Sequence, residues 1–444
     1  MSDTAPGPGE QDTPLVAALR DLIEGDPAHP FVLLRETALD ASCINRGDVD
    51  LLGTPSAVAA LVQRAMALVR DGRCHVRVRR RNADKVQLEL LSLDLERRIV
   101  LDLWQDVWQI DGGERSLRFE DVFPRPGVGG GALLRMPPEL EASVYLHHLA
   151  TKQKDLGSDE VQARLGRYAV ACAAAECPEL AAGVSGLRSQ RAVPAELLDR
   201  TRALIRQATD ERPWRRHGAR GRRALAHWRG GSWLVPRGAP LVSIVGCDGA
   251  GKTSLAEAIA GSGRCSTRVG KDLYRRWLPF RLLYRVGERM LGVSRERIDE
   301  ALAPFAFGLA WLSLWVAQRG RRVRGDTGLV LMDRALLDFL YVKRKSDRPR
   351  FSWAAPLLAP LGVGIAAVHL IVPHEILYSR KGEMTVDGHA TYDADMLDAY
   401  TRASAFDYLA LANVTALGPA ARALGAYLLR EHLADSVALQ ALQS

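Results

Sequence analysis

The sequence predicts an α/β protein in which a C-terminal parallel sheet with flanking helices follows an α+β domain and a helical bridge. From Pro240 onward, short apolar segments alternate with longer helical ones, as in a parallel sheet. Residues 14–130 instead mix strand-like runs with amphipathic stretches, and residues 139–208 are Ala/Leu-rich with helical spacing. The chain has 444 residues, 47% hydrophobic and 25% charged, enough apolar material for two or three cores.

In chain order, residues 1–13 are polar and rich in Pro and Gly, which predicts a disordered tail with no secretory signal. Within the domain 14–130, residues 15–23 form an amphipathic helix, and 31–34, 49–52, 86–91 and 99–104 are apolar runs of strand length. A flexible break, PGVGGG at 126–131, closes the domain. The helical extension 131–208 follows, with Pro178 and Pro194 marking helix ends.

Residues 209–238 are a basic linker with Trp214 and Trp228 among its arginines. It has no apolar stripe, so a solvated connector with docked tryptophans is expected rather than a membrane or nucleic-acid contact. The sheet domain spans 239–434, before a tail at 435–444. Its longest apolar run, 305–317, contains Gly308 and Ser313 and is shorter than the ~20 residues of a membrane span. It reads as a buried helix.

Residues 241–254 read LVSIVGCDGAGKTS. Gly246, four residues, then Gly251, Lys252 and Thr253 make a complete phosphate loop between a buried strand and a helix. Glycines are needed because backbone N–H groups must turn inward around phosphates, where a side chain would block approach. The helix that follows adds the positive end of its dipole. Gly246, Asp248, Gly249, Ala250, Gly251, Lys252, Thr253 and Ser254 are therefore the expected ATP-binding residues. Lys252 supplies charge to the phosphates and the Thr253 hydroxyl is a ligand for Mg²⁺.

Further polar groups are expected at the ends of neighbouring strands. The run GLVLMDR makes a buried strand ending in Asp333 and Arg334. Asp333 suits a Mg²⁺-bound water or a substrate hydroxyl, and Arg334 suits bidentate grip on an acceptor phosphate. A third strand, 366–372, leads into a helix from His374 to Arg380 and Lys381, then Gly382, the pattern of a cationic lid. Lys252, Asp333, Arg334 and Arg380 are the expected catalytic residues.

The string G-x-D-G-A-G-K-T, a later strand ending in Asp-Arg, and a third strand followed by P-x-E-x-x-x-x-R resemble thymidylate kinase over about 190 residues. The resemblance implies ATP and Mg²⁺ on Lys252 and Thr253, Asp248 near the acceptor phosphate, Asp333 and Arg334 near the substrate, and Arg380 at the start of the lid. It does not extend to base recognition. The family follows Asp-Arg with an S-x-x-A-Y-Q-like segment, whereas this chain has Ala335, Leu336, Leu337, Asp338, Phe339, Leu340 and Tyr341. The implied activity is Mg·ATP-dependent phosphoryl transfer to a small acceptor, a nucleoside monophosphate or another phosphorylated or hydroxylated metabolite. Two alternatives stay open: an ATP-binding regulatory module, or an active nucleotidyltransferase in the N-terminal domain.

The second alternative comes from INRGDVDLL at 44–52. Asp48 and Asp50 share one face of a strand, and Asp102 ends another. Three convergent acids suit two Mg²⁺ ions. The pattern resembles the nucleotidyltransferase family, whose D-x-D pair and later strand acid bind metal. That family carries a Gly-Ser pair about a dozen residues earlier, where this chain has Leu34, Arg35 and Glu36.

A net charge of +8 could signal nucleic acid, but no readable nucleic-acid module accompanies it, and a kinase handling phosphates also needs cations. The expected partner is a small-molecule acceptor. The oligomeric state is left open, a homodimer among the alternatives. Six cysteines without CxxC spacing, and no transmembrane segment, suit a cytoplasmic protein with free thiols.

Overall fold

The computed structural model describes residues 13–35, 39–45, 47–80, 84–110, 115–122, 133–209, 241–260, 265–269, 278–290, 292, 294, 298, 305, 308–314, 316–317, 329–333, 366–381, 385–401, 406–412, 424–425 and 427–428. Residues 1–12, the break at 126–131, the linker from 210 to 238 with Trp214 and Trp228, and the tail 435–444 lie outside the described residues.

The chain divides into two compact units. One takes in residues up to Arg64, with Asp84–Leu88 and Ile99–Arg222. The other takes in Ala65–Ala83, Glu89–Arg98 and Arg223–Ser444. This division differs from a simple N-terminal domain at 14–130, because a stretch inside that range pairs with the C-terminal sheet.

In chain order the first elements are α1 (Thr13–Glu24), β1 (Phe31–Leu33), β2 (Val49–Gly53) and α2 (Pro55–Arg70). β3 (His75–Arg80), β4 (Lys85–Leu91), β5 (Arg98–Gln105), β6 (Trp108–Ile110), β7 (Arg115–Leu117), α3 (Phe119–Val122) and β8 (Leu133–Arg135) follow. Thr13, expected in the tail, opens α1, which buries Leu15, Leu19, Leu22 and Ile23 along one face. α2 begins where the Thr54 hydroxyl accepts the Ala57 N–H at 3.1 Å, with Pro55 in its first turn.

In the first unit β1 lies antiparallel to β2 and parallel to β8, while β2 runs parallel to β5 with Asp50 opposite Asp102. Among the described residues, α4 (Pro138–Lys152), α5 (Asp159–Ala174), α6 (Pro178–Gly186) and α7 (Ala195–Ala208) follow in this unit. Pro178 opens α6 and Pro194 caps α7, so both prolines mark helix starts, where a missing N–H costs nothing. The helices share a core that includes Leu146, Leu149, Leu165, Tyr168 and Leu197.

The second unit continues with β9 (Leu241–Val245), α8 (Lys252–Ala260), β10 (Cys265–Val269), α9 (Leu278–Met290) and β11 (Leu329–Asp333). β12 (Ala366–Ile371), α10 (His374–Lys381), α11 (Val386–Thr401) and β13 (Phe406–Ala412) follow. The strands run in the order β10, β11, β9, β12, β13, all parallel, and β3 then pairs antiparallel with β13. Val242, Ile244, Leu331, Val368, Leu370 and Leu409 form the core with Leu255 and Ile259 of α8. This is a mixed α/β arrangement with a mostly parallel sheet.

The chain leaves β9 to one side for β10 and returns past it to β12, so β9 is a switch point with a crevice at its carboxyl end. The run 305–317 differs from its expected burial. Within it, residues 308–314 and 316–317 are helical, with Ala310 and Trp311 buried but Leu309, Leu312 and Val316 exposed. No helix among the described residues is long and apolar enough to cross a membrane.

Candidate functional site

The phosphate loop hangs on the carboxyl end of β9. Gly246, Gly249 and Gly251 have φ of 146°, 92° and 89°, backbone that side chains rarely adopt. A Cβ at Gly246 would also lie 2.9 Å from the Leu370 carbonyl oxygen of β12. The sequence therefore folds this way because glycine stands at each of these positions. Ala250 N–H closes the loop on the Cys247 carbonyl at 3.1 Å, and Leu255 N–H on the Gly251 carbonyl at 2.9 Å starts the helical ladder of α8.

Lys252 is the first residue of α8 and is only 7% exposed. A charged amine buried that far needs partners. It donates to the Gly246 and Cys247 carbonyls at 2.9 and 2.8 Å and lies 3.5 Å from Asp248 Oδ1. Thr253 and Ser254 are exposed on the first turn, Asp248 is exposed on the loop, and Ala250 is buried beneath it.

Asp333 ends β11, which pairs directly with β9, and this register brings its carboxylate to the loop. Thr253 Oγ1 donates to Asp333 Oδ2 at 3.0 Å. Arg380, in the last turn of α10, donates from Nη1 to the Gly249 carbonyl at 3.1 Å. The structure thus gathers Asp248, Lys252, Thr253, Asp333 and Arg380 around one loop. Arg334, residues 335–341 and Gly382 lie outside the described residues.

One contact had no local signal. The Tyr392 hydroxyl of α11 touches both the N–H and the carbonyl of Gly246, at 3.3 and 3.2 Å. Nothing in ATYDADML distinguishes this tyrosine from others on a helix, and only the placement of α11 shows it.

In the first unit, Asp50 and Asp102 face each other across β2 and β5 and are buried, with Asp48 just before β2. Burial and the adjacent Asp102 carboxylate push the Asp48 carboxyl above the ordinary aspartate range. Asp50 pairs with Arg35 and accepts from Trp104 Nε1 at 3.2 Å. Asp102 pairs with Lys85 and accepts from Gln87 Nε2 at 3.0 Å. Each buried acid therefore already has a fixed cation. Among the described residues no group of three or more His, Cys, Asp or Glu is placed to hold a metal ion, Asp48, Asp50 and Asp102 included. Arg35 stands between Leu34 and Glu36, and no local pattern marks it as the partner of a buried acid. Its Nη1 also lies 3.3 Å from His148 Nε2.

Cys43, Cys74, Cys172, Cys177 and Cys247 are free thiols. Burial pushes the Cys74 and Cys172 thiols up to about 12, so neither is a nucleophile near neutral pH.

No family model matches the chain, and no curated protein matches it. Among solved structures, a shikimate kinase from Acinetobacter baumannii in complex with shikimate is similar to it at a TM-score of 0.23. Identity is 16%, over 45% of this chain and 96% of that one.

Proposed function

We propose that the second unit is a phosphotransferase, taking a nucleoside triphosphate with Mg²⁺ and passing a phosphoryl group to a small acceptor. The observation that carries this reading is the 3.0 Å hydrogen bond between Thr253 and Asp333 at the mouth of the glycine loop. A hydroxyl and a carboxylate side by side at a helix N-terminus are hard oxygen donors of the kind Mg²⁺ selects. The positive-φ glycines of the loop also fit a phosphate chain, since no Cβ intrudes on its N–H groups.

Thr253 and Asp333 would hold the metal ion, whose contribution when bound is to neutralise charge on the transferred group. Lys252 would release at least one loop carbonyl and turn its ammonium to the phosphates. Arg380, arriving with α10, would close the loop and add a second cation to the developing charge. Catalysis of this kind is mostly positioning and charge stabilisation, and the chain needs no covalent intermediate.

The acceptor class follows from the thymidylate-kinase resemblance: a nucleoside monophosphate or another phosphorylated or hydroxylated metabolite. The segment 335–341 lacks the family's base-reading pattern, so thymidine monophosphate is not the favoured acceptor. A screen of nucleoside monophosphates and sugar phosphates, read by ADP release, tests the reading. Acceptor-dependent ADP release that disappears in Lys252→Ala supports it. Slow ATP turnover indifferent to every acceptor would instead favour the regulatory module.

For the first unit we read a nucleotidyltransferase-like scaffold that transfers no nucleotide. What supports this is the engagement of Asp50 by Arg35 and of Asp102 by Lys85.

A further inference from the structure

Gly246 carries two demands at once. Its carbonyl accepts Lys252 Nζ at 2.9 Å, and the same carbonyl accepts the Tyr392 hydroxyl at 3.2 Å. The Gly246 N–H donates back to that hydroxyl oxygen at 3.3 Å. A hydroxyl has one proton and spare lone pairs, so a single Tyr392 side chain can serve both backbone groups.

The hydroxyl is held in place by groups behind it. The next residue on α11, Asp393, has Oδ1 3.0 Å from His369 Nε2 of β12. His369 is fully buried, and its Nδ1 meets the Tyr408 hydroxyl of β13. Its ring stands edge-on to Tyr392, with centroids 6.0 Å apart and planes at 70°. Two sheet strands therefore fix α11, and α11 fixes the first glycine of the loop.

We propose that Tyr392 is a positioning residue of the phosphate loop, keeping the Gly246 peptide groups oriented and satisfied when Lys252 turns to the phosphates. This rests on the nucleotide-binding reading above. Lys252 has three protons to donate, and in the structure the Gly246 and Cys247 carbonyls take two, with Asp248 Oδ1 at 3.5 Å. Reaching a phosphate weakens its hold on at least one carbonyl. At Gly246 the Tyr392 hydroxyl stays behind as donor, so the loop does not collapse onto an unsatisfied acceptor.

The test compares wild type with Tyr392→Phe in the full chain, titrating MgADP by calorimetry and recording thermal unfolding alongside. The expected result is a Kd raised about tenfold, the worth of one hydrogen bond to a buried acceptor, with Tm nearly unchanged. A purely structural tyrosine would lower Tm and leave the Kd of the folded protein where it was. That outcome, or an unchanged Kd with an unchanged Tm, overturns the proposal while leaving the nucleotide site intact. Wild-type protein that binds no MgADP would instead bring down the nucleotide reading, and this proposal with it. Should Tyr392→Phe not fold, Asp393→Asn loosens α11 from His369 and is expected to raise Kd about twofold or more. An unchanged Kd in that variant overturns the proposal equally.

Discussion

Arg77 meets Asp407 through two parallel contacts, Nε to Oδ1 at 2.7 Å and Nη2 to Oδ2 at 2.5 Å, although 330 positions separate them in the chain. Its Nη1 also donates to the Tyr427 hydroxyl at 2.7 Å. Arg77 is 3% exposed, so its charge is tolerable only because it is paired. The pairing lies along the register in which β3 joins β13, with Asp407 opposite Arg79 and Leu409 opposite Arg77. Glu89 pairs with Arg79 and is fully buried too. The sheet that carries the phosphate loop thus includes a strand from the first hundred residues.

Arg77→Leu should therefore destabilise the second unit. Removing one partner of a buried pair leaves a carboxylate without its cation, at a cost of about 3 kcal/mol. Chemical denaturation of the full chain measures this, and Asp407→Asn should lose less because it remains a hydrogen-bond acceptor. A variant as stable as wild type would show that β3 contributes nothing to the sheet.

Lys252→Ala and Thr253→Val separate two roles at the phosphate loop. The lysine change is expected to abolish phosphoryl transfer and weaken nucleotide binding, since the positive charge on the phosphates is lost. Thr253→Val keeps the shape but removes the hydroxyl that meets Asp333, so it should lower turnover about a hundredfold and raise the Mg²⁺ concentration required. Steady-state rates over a magnesium titration distinguish them. Wild-type turnover in Lys252→Ala would mean the loop is not catalytic.

Asp48→Asn with Asp50→Asn addresses the first unit. Wild-type protein is expected to release no pyrophosphate from nucleoside triphosphates, because Arg35 and Lys85 already neutralise the buried acids. The double variant should then alter stability alone and leave ADP release as it was. Magnesium-dependent pyrophosphate release that this double change abolishes, and Lys252→Ala does not, would show a working nucleotidyltransferase.

Stability should fall on the acid side of neutrality. His75 is held neutral: Nε2 donates to the Leu93 carbonyl at 3.2 Å, and Nδ1 accepts the Ala412 N–H at 3.1 Å. Burial pushes its pKa down to about 4, from an ordinary value of 6.5 in the unfolded chain. Between those values the unfolded state binds more protons, so stability drops as pH falls from about 6.5 to about 4, by up to about 3 kcal/mol. Below that range this group adds no further loss. His148, pushed down to about 4 by burial and by nearby Arg35, acts in the same direction. Denaturation midpoints across this range test the slope, and His75→Gln should flatten it.

The sequence alone determined the strands and loop whose signals are local. The expected runs 49–52, 86–91 and 99–104 appear as β2, β4 and β5, each longer by one or two residues. The glycine loop was legible because phosphate approach demands glycine at fixed spacing, and the backbone there has the positive φ that glycine permits. Tertiary structure decided what depends on distant partners. β3 reads HVRVRR, whose arginines suggest an exposed face, yet Arg77 is buried because Asp407 and Tyr427 arrive from the far end of the chain. Asp333 became a neighbour of Thr253 only through the pairing of β11 with β9. Asp50 and Asp102 were legible as strand acids, but Arg35 and Lys85, which neutralise them, were not. Periodicity and motif spacing report what a residue needs within its own element, whereas a charge's partner is set by strand order and register, which no local pattern carries.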